Sequence, residues 1–134
     1  MKFSKIYIWI IILLPIIGIT CKKKDAVSIA NTWEVNSIVE SYDSIIKNAP
    51  AGIYLEFKNN KKINLSGNGF NCTSDFTIDG SKLNIDSITC DTCCVVPFQK
   101  TLQSYLHKVS SFSIQDENLF LYGEKDLQIK SRLK

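Results

Sequence analysis

Five cysteines and a single histidine carry the covalent and metal chemistry open to this chain. Cys21 closes an apolar N-terminal run, whereas Cys72, Cys90, Cys93 and Cys94 lie far down the sequence. An even set of cysteines in a small exported domain reads first as a disulfide framework, so these four are disulfide candidates. Four cysteines allow three pairings. A bridge between the neighbours Cys93 and Cys94 is strained, so the two pairings that place them in separate bridges are easier on geometric grounds. A bridge from Cys72 to any of the other three closes a loop of about 20 residues, worth on the order of 3 kcal/mol.

Two sharper chemistries compete for the same residues. Cys90-Asp91-Thr92-Cys93 has the spacing of a thiol-redox pair, and Cys94-Val95-Val96-Pro97 leads into a helical pattern whose N-terminus would lower a thiol pKa. Alternatively Cys90, Cys93 and Cys94 together form a soft-metal site. Zinc ligands come as closely spaced pairs, and Cys72 has no such partner, while His107 sits in the middle of the helical pattern. No Ser or Cys has a recognisable base beside it, and Asp75, Asp79, Asp86 and Asp91 fall in turns and strand ends, where Asp serves the backbone. Ser66-Gly67-Asn68-Gly69 lacks the Lys-Ser/Thr of a phosphate loop. The expectation is therefore no catalytic residues, no metal and no cofactor, with a thiol redox or metal-binding site at Cys90, Cys93 and Cys94 as the alternative.

The elements that would carry these residues follow a leader. Lys2 and Lys5 precede an apolar run from Ile6 to Ile19, broken by Pro15. The run falls short of the roughly 20 residues a spanning helix needs, so residues 1–20 read as a cleavable signal peptide. Gly18-Ile19-Thr20-Cys21 resembles the lipobox, which makes Cys21 the lipidation site and its acyl chains, palmitate among them, the membrane anchor. Loss of Lys2 and Lys5 lowers the formal charge of +3 by two, and the near-neutral remainder has no basic field for nucleic acid. Lys22-Lys23-Lys24 adds attraction to an anionic leaflet, on the order of 1 kcal/mol per charge, or serves as a solvated tether. Lys22 stands where an Asp would retain a lipoprotein at the inner membrane, which leans the location towards the outer one.

Residues 21–30 form a polar tether and 31–134 one domain with one core. Trp33, Val35, Ser37 and Val39 alternate with Thr32, Glu34, Asn36 and Ile38 in a first strand. Residues 41–51 read as a connection; Ile53, Leu55 and Phe57 make a strand that turns at Asn59-Asn60 into Ile63 and Leu65. Phe76 and Ile78 reverse at Asp79-Gly80 into Leu83 and Ile85. Phe98, Leu102, Tyr105, Leu106 and Val109 recur on one helical face from Pro97, and three further strands follow. One helix cannot supply repeated parallel crossovers. The fold class is thus mainly β (α+β): an antiparallel curled sheet, or open lipocalin-like barrel of about 7–8 strands, packed on one helix at about 97–109.

From Thr32-Trp33-Glu34-Val35 onward the chain resembles the META domain, the HslJ-like family of bacterial envelope lipoproteins. The resemblance runs through Leu55-Glu56-Phe57, the glycine-rich bend into Asn71-Cys72, Phe76 to Ile85, Thr89-Cys90, the helix Phe98 to Leu106, and Val109 to Ile114 with Leu119-Phe120-Leu121. Thr89-Cys90 answers the family's second cysteine. The resemblance implies a lipocalin-like barrel on one helix, an envelope location, stress-associated roles and no established catalysis. It points to a monomeric, non-enzymatic protein that binds an unidentified protein or small-ligand partner, or supports the envelope under stress.

Overall fold

The computed structural model describes residues 28–40, 45–91 and 96–134. Their β-strands are β1 (Thr32–Glu40), β2 (Ile45–Asn48), β3 (Tyr54–Phe57), β4 (Lys62–Gly67), β5 (Phe70–Asp79), β6 (Lys82–Ile85), β7 (Thr89–Cys90), β8 (Val109–Gln115), β9 (Asn118–Gly123) and β10 (Leu127–Leu133); the single α-helix, α1, is Pro97–Leu106. The strands pair antiparallel in the order β1-β3-β4-β5-β6-β8-β9-β10, and β10 returns to β1 to close an eight-stranded barrel. β2 adds to the far half of β1, and β7 to the start of β5. The mainly β class with one helix is as the sequence pattern gives it; the ring, however, is closed, with β1 and β10 in register from Trp33–Leu133 to Glu40–Leu127.

Alternation fills the interior. Trp33, Ile53, Leu55, Leu102, Leu106, Leu119, Leu121 and Ile129 have no exposed surface at all. Burial of each such side chain is worth about 1.5–3 kcal/mol, which suffices to hold a small barrel. Ile29 joins this core ahead of β1, and the buried indole Nε1 of Trp33 donates to its carbonyl at 2.9 Å. The folded unit thus takes in a residue that polarity alone assigns to the tether.

Three elements differ from the sequence pattern. The β1–β10 register shifts between Val35 and Ser37, a bulge that sends Ile38 into the core in place of Ser37 and Val39. An extra residue in a strand inverts every face beyond it, and a strict period of two cannot register that. Residues read as a connection include β2, which pairs Ile45–Asn48 with Ser37–Glu40. The helix stops at Leu106 rather than near 109, because Val109 is drawn into β8 opposite Gly123.

The turns follow local chemistry. Gly67 pairs with Phe70, leaving Asn68-Gly69 as a two-residue loop with φ of 42° and 88°. Positive φ at both positions is what Asn-Gly tolerates and what the strand twist requires. Asp79 pairs with Lys82, so the second two-residue loop is Gly80-Ser81, one residue later than Asp79-Gly80, and there only Gly80 has a positive φ, of 60°.

Candidate functional site

Cys72 lies on the inward face of β5 between Phe70 and Ser74, and β7 runs beside it with Cys90 directly opposite. Asp91 N donates to Asn71 O at 3.0 Å, so the cysteine pair falls between ladder bonds, the register in which facing side chains approach most closely. Cys72 and Cys90 form a disulfide there. Cys72 is fully buried and Cys90 half-buried.

This pairing overturns the geometric preference for bridges that separate Cys93 from Cys94 by using each with Cys72 or Cys90. That preference assumed that all four cysteines are consumed in two bridges. Strand register overrides it, since it brings Cys72 and Cys90 side by side whatever the other two do. Cys93 and Cys94, like Cys21 and the leader, lie outside the described residues. A Cys90 held in a disulfide offers no thiolate to a metal, so the trio Cys90, Cys93 and Cys94 lacks one ligand as folded. Among the described residues no cluster of His, Cys, Asp or Glu has the geometry to hold a metal ion.

Two polar side chains from different elements surround the bridge. Between β6 and β7 the chain leaves the ladder of β5 at Asp86 to Ile88, and the buried Ser74 hydroxyl fills the gap. Its Oγ is 2.8 Å from Asp86 O and 3.1 Å from Ser87 O. One proton shared among carbonyls makes this hydroxyl a structural donor rather than a nucleophile. From the other side α1 presents Gln99, only 3% exposed, whose Nε2 is 3.5 Å from Cys72 Sγ. Its Oε1 is buried without a hydrogen-bond partner. Gln103, one turn on, braces Ile88 O through Nε2 at 3.3 Å.

The sequence pattern did not single out Gln99. Its signal was present: 99, 102 and 106 have the three-then-four spacing of a helix face, so a Gln in that row is a buried amide. Phe98 and Tyr105 flank that row half-buried, while His107 caps the helix exposed to solvent. Asp75 pairs with Lys62 at the surface, both side chains more than half exposed.

Two clefts walled by described residues are polar. One of about 360 Å³ lies where residues 30–32 meet Glu56 to Asn59, and another of about 190 Å³ lies outside Ser74 between Asp75 and Asp86. The apolar crevice between Leu106 and β4–β5 has no room for a water molecule. Among the described residues Trp33, Phe57 and Leu102 are buried in the apolar cluster inside the barrel. Among the described residues no helix is long and apolar enough to cross a membrane.

No family model matches the chain, and no curated protein does. Among solved structures it is similar to an NMR structure of a protein from Burkholderia xenovorans, with a TM-score of 0.67 at 10% identity over 78% of this chain and 82% of that one. It is also similar to a DUF4847 family protein from Bacteroides vulgatus, with a TM-score of 0.61 at 16% identity over 78% of this chain and 92% of the other. At such identities the likeness is one of fold.

Proposed function

We propose that the chain is a non-enzymatic, lipid-anchored protein of the bacterial envelope, whose META-like barrel engages a protein or small-ligand partner through its outer surface. The observation that carries this reading is the Cys72–Cys90 disulfide. Disulfides persist in oxidising compartments, and an export leader ending at Cys21 leads to one. The continuous apolar cluster lining the interior supports contact through the polar outside of the barrel. The Ser74 hydroxyl, committed to backbone carbonyls, and the exposed, unaccompanied His107 favour a binding role over hydrolysis. Lys22 directly after the lipidated residue favours the outer membrane.

The experiment is expression of the full chain beside Cys21→Ser in a bacterial host, followed by membrane fractionation. The reading expects a processed, membrane-associated wild type and an unprocessed variant that carries no acyl chains. Equal processing of both would refute the lipid anchor.

A further inference from the structure

The Cys72–Cys90 bridge is built with a neighbour that suits its reduced form better than its oxidised one. Gln99 is 3% exposed, so its amide cannot turn to water for a partner. Against the disulfide it has only Nε2 near Cys72 Sγ at 3.5 Å, and Oε1 is left with no donor. A disulfide sulfur is a weak acceptor, whereas the Cys72 thiolate that reduction releases accepts strongly from the Nε2–H already facing it. Met or Leu would fill the same place without that donor.

We propose that Gln99 is a positioning residue that biases the Cys72–Cys90 bridge towards reduction, making the β5–β7 junction a redox-sensitive clasp opened by an external dithiol. Cys90 is the half-buried residue of the pair and Cys72 the fully buried one, which assigns attack to Cys90 and the leaving group to Cys72. One thiolate of the dithiol bonds to Cys90 Sγ, the S–S bond breaks, and its electron pair goes to Cys72 Sγ, which faces the Gln99 N–H donor. The second thiolate of the dithiol closes on its own sulfur in the mixed disulfide and releases Cys90 as thiolate. The dithiol leaves oxidised, and both cysteines take up protons. β7 pairs with β5 through only two residues, so the bridge is a main tie between these two strands.

The test equilibrates the mature chain in dithiothreitol buffers of graded redox ratio, then alkylates free thiols and reads Cys72 peptide by peptide with mass spectrometry. Gln99→Met is expected to need an about tenfold more reducing buffer at its midpoint, equivalent to about 30 mV for this two-electron couple. Gln99→Leu gives the same shift and serves if the Met variant does not fold. Gln103→Met, which disturbs the same helix without touching sulfur, is expected to leave the midpoint within twofold. A Gln99→Met midpoint within twofold of wild type overturns the proposal, as does an equal shift in Gln103→Met.

Discussion

Replacing Trp33 by Phe tests whether the segment before β1 belongs to the barrel. The indole is fully buried and its Nε1 donates to Ile29 O at 2.9 Å. Phe keeps the apolar burial but removes the donor and part of the ring. The carbonyl is not left bare, because Asn31 N also donates to it at 2.7 Å. The lost bond is therefore worth about 1 kcal/mol rather than the full cost of an orphaned group. The smaller ring leaves a gap in a packed interior, at about 1–2 kcal/mol more. A total of about 2–3 kcal/mol lowers the melting temperature by roughly 10–20 °C in a domain of this size. Thermal and urea unfolding followed by circular dichroism measure it, since the variant loses the only tryptophan outside the leader. A loss below about 0.5 kcal/mol would refute the role assigned to the Trp33–Ile29 bond.

Gly67 has φ of +151°, and a Cβ there would meet the carbonyl oxygen of Gly52 and lie 3.1 Å from Ile53 Cα. Gly67→Ala is expected to cost about 2–4 kcal/mol, because backbone rather than a flexible side chain must give way. At Gly80 a Cβ meets nothing within 4 Å, so Gly80→Ala, measured in the same unfolding assay, should lose only about 1 kcal/mol to its φ of +60°. Ser131 lies wholly inside the barrel with an Oγ that has no partner. Ser131→Ala should therefore be neutral or stabilise by about 1 kcal/mol in urea titration, and a clear destabilisation would mean the hydroxyl is bonded.

The strand faces that can be read directly are those where alternation runs unbroken: Leu55 and Phe57, Ile63 and Leu65, Leu83 and Ile85, Leu119 and Leu121 are all in the core. The second hairpin shows nearly as well, although its loop is Gly80-Ser81 and Asp79 stays in the strand opposite Lys82. What escapes the pattern is settled by partners distant in sequence. The bulge that brings Ile38 inward depends on how β1 meets β10, and β2 becomes a strand because β1 offers it an edge. Helical periodicity carries through Val109, yet the sheet takes that residue. The disulfide belongs to the same class: counting cysteines leaves three pairings open, and only the register of β7 on β5 selects Cys72 with Cys90. Gln99 lay within reach of sequence reasoning, since a lone amide in an apolar helical row is a signal in itself.

Mass spectrometry of the membrane-extracted protein, intact and after digestion without reduction, tests at once whether the domain is exported, lipid-tethered and disulfide-closed. The expected result is a chain starting at Cys21 with acyl chains on that residue and a Cys72–Cys90 cross-link in the unreduced digest. A chain that still begins at Met1, or one with an unmodified Cys21 and free thiols at Cys72 and Cys90, would contradict it.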